Sequence, residues 1–148
     1  MLPYLEESDE EKKKLYLPQD YIVADKPEEK AQSRISDGTD LQDNEMILDI
    51  GPETIEQYKE IINEAKMVIW NGPLGLFEIP EFSKGSYEIA EAVADGEASS
   101  IIGGGETLDL VKSLGLERKL NFVSTGGGAM LEFLEGKELP GIVALNDK

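Results

Sequence analysis

At 148 residues, with 14 Lys plus Arg against 31 Asp plus Glu, the chain carries a formal net charge of −17, a field that disfavours nucleic acid and anionic membrane surfaces as partners. It has neither cysteine nor histidine, which excludes disulfides, thiolate and imidazole metal sites and Ser-His or Cys-His nucleophiles, and leaves acid–base work to carboxylates, lysine or tyrosine. The length suits one domain that buries roughly two-thirds of its unfolded surface, no stretch approaches the roughly 18 to 20 apolar residues of a membrane span, and "MLPYLEESDEEKKK" lacks the basic start and apolar centre of a signal peptide.

In chain order, "DYIVADK" (20–26) is a short apolar run of strand type. The polar stretch that follows, to about residue 45, shows neither helical nor strand period. "MILDI" then predicts a second strand, ended by Gly51 and Pro52. Thr54 and Gln57 have capping-box spacing for a helix whose apolar face is Ile55, Tyr58, Ile61, Ile62 and Ala65. "KMVIWNG" (66–72) is the next strand, and after the loop "PLGLFEIPEF" a helix presents Ile89, Ala90 and Val93 on one face. "SSII" returns to strand and runs into "GGGET". Leu108, Val111 and Leu114 carry the following helix, with Gly115 placed for a left-handed cap. "LNFVS" is strand-like again, and "TGGGA" opens a helix with Met130, Leu131 and Leu134 apolar and Gly136 closing it. The tail "LPGIVALNDK" has apolar residues with no obvious internal partner.

Strands alternating with helices at this spacing predict parallel βαβ units, hence a doubly wound, Rossmann-like α/β domain of three layers, α/β/α. The carboxyl ends of parallel strands share one sheet edge, so "WNGPLG", "IIGGGET" and "VSTGGGA" should meet there. Glycines between a strand and a helix allow close approach to the backbone, where the first helical amides, unpaired and at the positive end of the dipole, suit an anion such as phosphate. A tight turn without a ligand fits the same residues. The dinucleotide fingerprint is incomplete, with Leu108 where its last glycine belongs, and no P-loop lysine pattern occurs. Of the acids nearby, Glu78 and Glu106, either one is as well suited to a solvated surface; Glu106 beside a phosphate could hold Mg²⁺. Trp70 and Phe77 are expected in the core.

"VIWNGPLGLFE", "IIGGGET" and "VSTGGGAMLEFLEGKELPG", in this order and spacing, resemble the carboxyl-terminal motifs of phosphoglycerate kinase, and "LPQDYIVADK" and "LDIGPETIEQYKEII" resemble its preceding segments. The resemblance covers about residues 15 to 148. It implies Mg²⁺-dependent, reversible phosphoryl transfer between 1,3-bisphosphoglycerate and ADP, giving 3-phosphoglycerate and ATP, in glycolysis and so in the cytoplasm. Carried over by motif, Asn71, Pro73, Leu76 and Glu78 would line the nucleoside pocket. Gly104, Gly105, Glu106 and Thr107 would hold the nucleotide phosphates, with Glu106 as metal ligand. Gly127 and Gly128 would offer backbone amides to the transferring phosphoryl group. Three departures stand out: Glu106 replaces the family's usual Asp, Ile47 stands where a glycine commonly precedes "LDIGP", and residues 27–46 match poorly. The resemblance reaches only the later part of the family's second domain, so residues 1–148 are expected to form a single partial nucleotide-binding domain. Lacking the phosphoglycerate site and the lysine-bearing glycine-rich segment, it should be nearly inactive alone, and its unmatched sheet edge should favour self-association. The alternative is a stand-alone module that binds a nucleotide or a protein without catalysis; a Rossmann-type oxidoreductase, with NAD, is not expected.

Overall fold

The computed structural model describes residues 15–145; the amino-terminal segment read above for an export signal, and the end of the tail, lie outside them. Among the described residues, two three-stranded sheets organise the fold. β1 (Tyr21–Ala24), β2 (Ser33–Ser36) and β3 (Met46–Ile50) form an antiparallel sheet in the order β2-β1-β3. β4 (Met67–Asn71), β5 (Ser99–Gly103) and β6 (Phe122–Ser124) form a parallel sheet in the order β4-β5-β6. The helices are α1 (Pro52–Glu64), α2 (Lys84–Asp95), α3 (Gly105–Ser113), α4 (Gly127–Leu134) and the short α5 (Pro140–Val143). None among the described residues is long and apolar enough to cross a membrane.

The parallel α/β pattern holds from β4 onward, with α2 and α3 as the crossovers. The strand-turn-helix unit at 46–65 departs from it, because β3 pairs antiparallel with β1, Tyr21 facing Ile50 and Ala24 facing Met46. The stretch read as lacking any period supplies β2, which pairs with the other side of β1. β2 is a polar edge strand whose Ile35 is 57 % exposed. Its register rests on backbone bonds and on Arg34, whose Nε and Nη2 donate to the two Glu45 carboxylate oxygens at 2.8 and 2.7 Å. The inward positions of this strand are Arg34 and the buried Ser36, so no apolar face imposes a hydrophobic period of two and periodicity does not reveal it.

The start of α1 also corrects the sequence reading. Pro52 takes the first helical turn, where its missing N–H costs nothing, so Thr54 lies inside the helix, fully buried, and caps nothing with Gln57. The cap comes from Asp20, just before β1. Its Oδ2 accepts from Glu53 N at 3.0 Å, and its Oδ1 accepts from Thr54 N at 2.8 Å and from Thr54 Oγ1 at 2.7 Å. Thr54 Oγ1 accepts in turn from Asp20 N at 3.1 Å. The two other caps conform to expectation: Gly115 and Gly136 have φ of +67° and +78°, where a side chain would be strained.

One face of the parallel sheet is packed. Trp70 and Ile102, flanked by Val68 and Val123, meet Ile55 of α1, Ile89 and Val93 of α2, and Leu110 and Val111 of α3; Trp70 is a core side chain, as expected, and Phe77, partly buried, packs against that core. Burial of each such aliphatic side chain stabilises by about 1.5–3 kcal/mol. The other face carries Met67, Ile69 and Phe122, which are 58, 42 and 60 % exposed. There α4 reaches the sheet through Met130, whose Cε would be 2.4 Å from a Cβ on Gly103.

Candidate functional site at the carboxyl edge of the parallel sheet

Strand register brings the three glycine-rich loops together. Asn71 lies opposite Gly103, and Gly103 opposite Ser124, so the three strands end flush and α3 and α4 start side by side. The Asn71 amide stands at the centre of this edge. Its Oδ1 would be 3.2 Å from a Cβ on Gly103, 2.7 Å from one on Gly104 and 2.8 Å from one on Gly127. A Cβ on Gly127 would also come within 2.6 Å of Gly104 N. Gly104, with φ +91°, further requires a backbone that only glycine adopts cheaply.

The glycine runs therefore divide their work. Gly103, Gly104 and Gly127 let the loops close on Asn71 and on each other, whereas a Cβ on Gly105 or Gly128 would meet nothing within 4 Å. Gly104 and Gly126 are the N-caps of α3 and α4, and neither helix has a side-chain cap. First-turn amides are consequently offered at the open positions, where a helix terminus favours an anion by about 0.3–1 kcal/mol. Glu106 is exposed in the first turn of α3. Thr107 is fully buried, and its Oγ1 accepts from Gly72 N at 2.8 Å, so it ties the "WNG" turn to α3. Among the described residues no group of three or more acidic side chains is arranged to hold a metal.

Beside this edge runs a cleft of about 260 Å³ between β3 and the loop 73–76. Ile47 and Leu76, 48 and 36 % exposed, form its rim, and Leu48, Pro73 and Leu74 its walls. The loop wall is held by its backbone. Leu76 N donates to Leu48 O at 3.0 Å, and Leu74 N and Gly75 N donate to Ser86 Oγ at 3.0 and 3.2 Å. The residues expected at the site thus fall into two adjoining groups. Asn71 and the two glycine loops make the edge, while Pro73 and Leu76, joined by Ile47, make the cleft. Glu78 is exposed and lines neither. A larger polar cavity, about 450 Å³ and bordered by Asp25, Lys26 and Lys30, contains none of them.

Asp49 lies beneath the cleft wall and is only 1 % exposed. Its Oδ2 accepts from Gly85 N at 2.8 Å in the first turn of α2, and its Oδ1 from Ile50 N at 2.9 Å. A Cβ on Gly75 would run into this carboxylate and lie 2.6 Å from Phe82 O, so glycine is required there. Burial pushes the Asp49 carboxyl up to about 6, against the two amide bonds that favour the anion. Because the folded value lies above the unfolded 3.8, the stability it contributes is complete below about pH 4 and is lost as pH rises through about 6. Asp49→Asn removes that dependence. In urea unfolding at fixed ionic strength, the wild type should gain stability relative to the variant between about pH 7 and about pH 5, and a constant difference would refute the assignment. Sequence reasoning missed Asp49 and Ser86. An acid inside the apolar run "ILDIG" is a signal for the first; nothing local marks the second.

A family model described as Phosphoglycerate kinase matches residues 2–137. The phosphoglycerate kinase of Clostridium tetani is 49 % identical over 144 residues, which cover 97 % of this chain and 36 % of that protein. That of Herpetosiphon aurantiacus is 50 % identical over 135 residues, 91 % of this chain and 34 % of that protein. The solved phosphoglycerate kinase of Coxiella burnetii superposes with a TM-score of 0.81 at 45 % identity, over 86 % of this chain and 33 % of its own. For that of Pyrococcus horikoshii the TM-score is 0.73 at 37 % identity. The chain spans about a third of the length of the curated relatives it matches.

Proposed function

Because the chain belongs to the phosphoglycerate kinase family, we propose that its glycine-lined sheet edge and the adjoining cleft form the nucleotide site of a phosphotransferase. The reaction moves the acyl phosphate of 1,3-bisphosphoglycerate to ADP in glycolysis, with the cytoplasm as its location. The observation that carries the reading is the pair of open backbone positions, Gly105 and Gly128, at two neighbouring uncapped helix starts. In a chain of charge −17, local amides are what can hold a phosphate.

In this reading Pro73 and Leu76 pack against the nucleoside, with Ile47 narrowing the opposite side, and Glu78 accepts from ribose hydroxyls. Asn71 fixes the meeting of the two glycine loops. Gly104, Gly105 and Thr107 seat the nucleotide phosphates through the start of α3, and Gly127 and Gly128 point amides at the transferring phosphoryl group. A terminal ADP oxygen attacks the acyl phosphorus and the bond to the carboxylate oxygen breaks, so the protein's task is positioning and charge stabilisation. The exposed Glu106 carboxylate is a hard oxygen donor at the phosphate end, which fits Mg²⁺ shared with nucleotide phosphates; bound there, the metal would neutralise their charge. Isolated, the 148-residue chain is proposed to bind nucleotide without turning it over and to self-associate through Met67, Ile69 and Phe122.

Titration with Mg-ADP tests this directly, followed by calorimetry and by the fluorescence of Trp70, the single tryptophan, whose Nε1 donates to Gly72 O at 2.6 Å beside the site. Saturable binding is expected, together with turnover in a coupled assay far below the range of about 1–100 per second usual for kinases. No heat and no fluorescence change would refute the nucleotide site. Binding with no activity restored by a separately produced remainder of a family member would favour the stand-alone module.

A further inference from the structure

Ser86 lies in the first turn of α2, is fully buried, and lines none of the cleft. Its Oγ nevertheless accepts from two successive amides of the cleft wall, Leu74 N at 3.0 Å and Gly75 N at 3.2 Å. Loop amides that must be satisfied away from water choose the conformation that reaches their acceptor. Here the acceptor sits on a helix whose start is itself held by Asp49 through Gly85 N. The two ends of the loop are pinned separately, Gly72 N to Thr107 Oγ1 and Leu76 N to Leu48 O, so that Ser86 holds its middle. Ser86 thus governs the nucleoside side of the site, and Thr107 the phosphate side.

We infer that Ser86 is a positioning residue for nucleoside recognition: by accepting from Leu74 N and Gly75 N it holds Pro73 and Leu76 at the width a nucleoside requires. The inference rests on the nucleotide-site reading above. Removing the hydroxyl should release the middle of the cleft wall, between the Gly72 and Leu76 anchors, and leave the glycine edge intact. The test compares Mg-ADP with Mg-pyrophosphate, which shares the phosphates and lacks the nucleoside, in calorimetric titrations of the wild type and Ser86→Ala. The variant should lose about tenfold in Mg-ADP affinity, the usual scale for a lost buried hydrogen bond, while its affinity for Mg-pyrophosphate stays within about twofold of the wild type's.

Failure of the wild type to bind Mg-ADP overturns the nucleotide reading, before any variant is made. Equal Mg-ADP affinity in wild type and S86A, or equal losses for both ligands, overturns the role of Ser86 alone. If S86A does not fold, Ser86→Cys, nearly isosteric but a weak acceptor, carries the same comparison. Amide exchange in the unliganded wild type supplies a check that needs no variant: slow exchange at Leu74 and Gly75 is expected, and fast exchange at both overturns the anchor.

Discussion

Replacement of Asp20 by alanine is expected to destabilise the chain by about 3 kcal/mol and to lower its melting temperature by roughly 10 °C. Asp20 is 5 % exposed, and its carboxylate accepts from Glu53 N, Thr54 N and Thr54 Oγ1. Truncation strands the Glu53 and Thr54 amides at the start of α1 and leaves the Thr54 hydroxyl only the Asp20 carbonyl, 3.1 Å away, at a helix end where a charged acceptor also complements the dipole. The loss reaches beyond the helix. Gly51 N donates to Asp20 O at 2.8 Å, and a Cβ on Gly51 would run into the Asp20 carboxylate, so β1, the end of β3 and α1 meet on this residue. Since β3 is one wall of the cleft, Asp20 connects fold stability to the site. Asp20→Asn, which keeps one good acceptor, should recover about half of the loss. Thermal and urea unfolding measure both variants; a cost for Asp20→Ala below about 1 kcal/mol would show that the cap is not the junction described.

Gly127→Ala should weaken Mg-ADP binding by about a hundredfold, the equivalent of ~2.7 kcal/mol, and destabilise the chain by about 1–3 kcal/mol. The new Cβ would lie 2.6 Å from Gly104 N and 2.8 Å from both Gly104 Cα and Asn71 Oδ1. Two of those three neighbours are backbone atoms of the other glycine loop, so relief requires the loops to part, taking the α3 amides out of line with the α4 amides. Gly128→Ala is the contrast. Its Cβ would meet no protein atom within 4 Å, so stability should stay within about 0.5 kcal/mol of the wild type, and Mg-ADP, which lacks the transferring phosphoryl group that the Gly128 amide is proposed to meet, should bind with nearly unchanged affinity. Adjacent glycines with opposite outcomes, measured by melting and calorimetry, test the division of labour at the edge. Similar behaviour of the two variants would sink it.

What was legible in the sequence follows a physical line. The helices with one apolar stripe, the strands of the parallel sheet and the glycine caps at 115 and 136 are encoded by neighbours within a few residues, and each stands where it was predicted. So does the meeting of the glycine-rich loops, because parallel strands joined by crossover helices must end on one edge. β2 was not legible, since its register depends on Arg34 reaching Glu45 and on backbone bonds. The capping box was misread because Pro52 moved the helix start and Asp20, distant in sequence, filled the cap.

The sequence by itself determined the parallel α/β core, the family, and the placing of three glycine-rich turns at one edge, all of which follow from local pattern, chain order and motif. Only the tertiary structure decided that β3 joins an antiparallel sheet, that Gly103, Gly104 and Gly127 are packing glycines while Gly105 and Gly128 stay open, and that buried Ser86 holds the cleft wall while buried Asp49 holds the start of the helix that carries Ser86. A glycine in a run looks like any other until the atoms facing its missing Cβ are known, and those atoms belong to other segments of the chain.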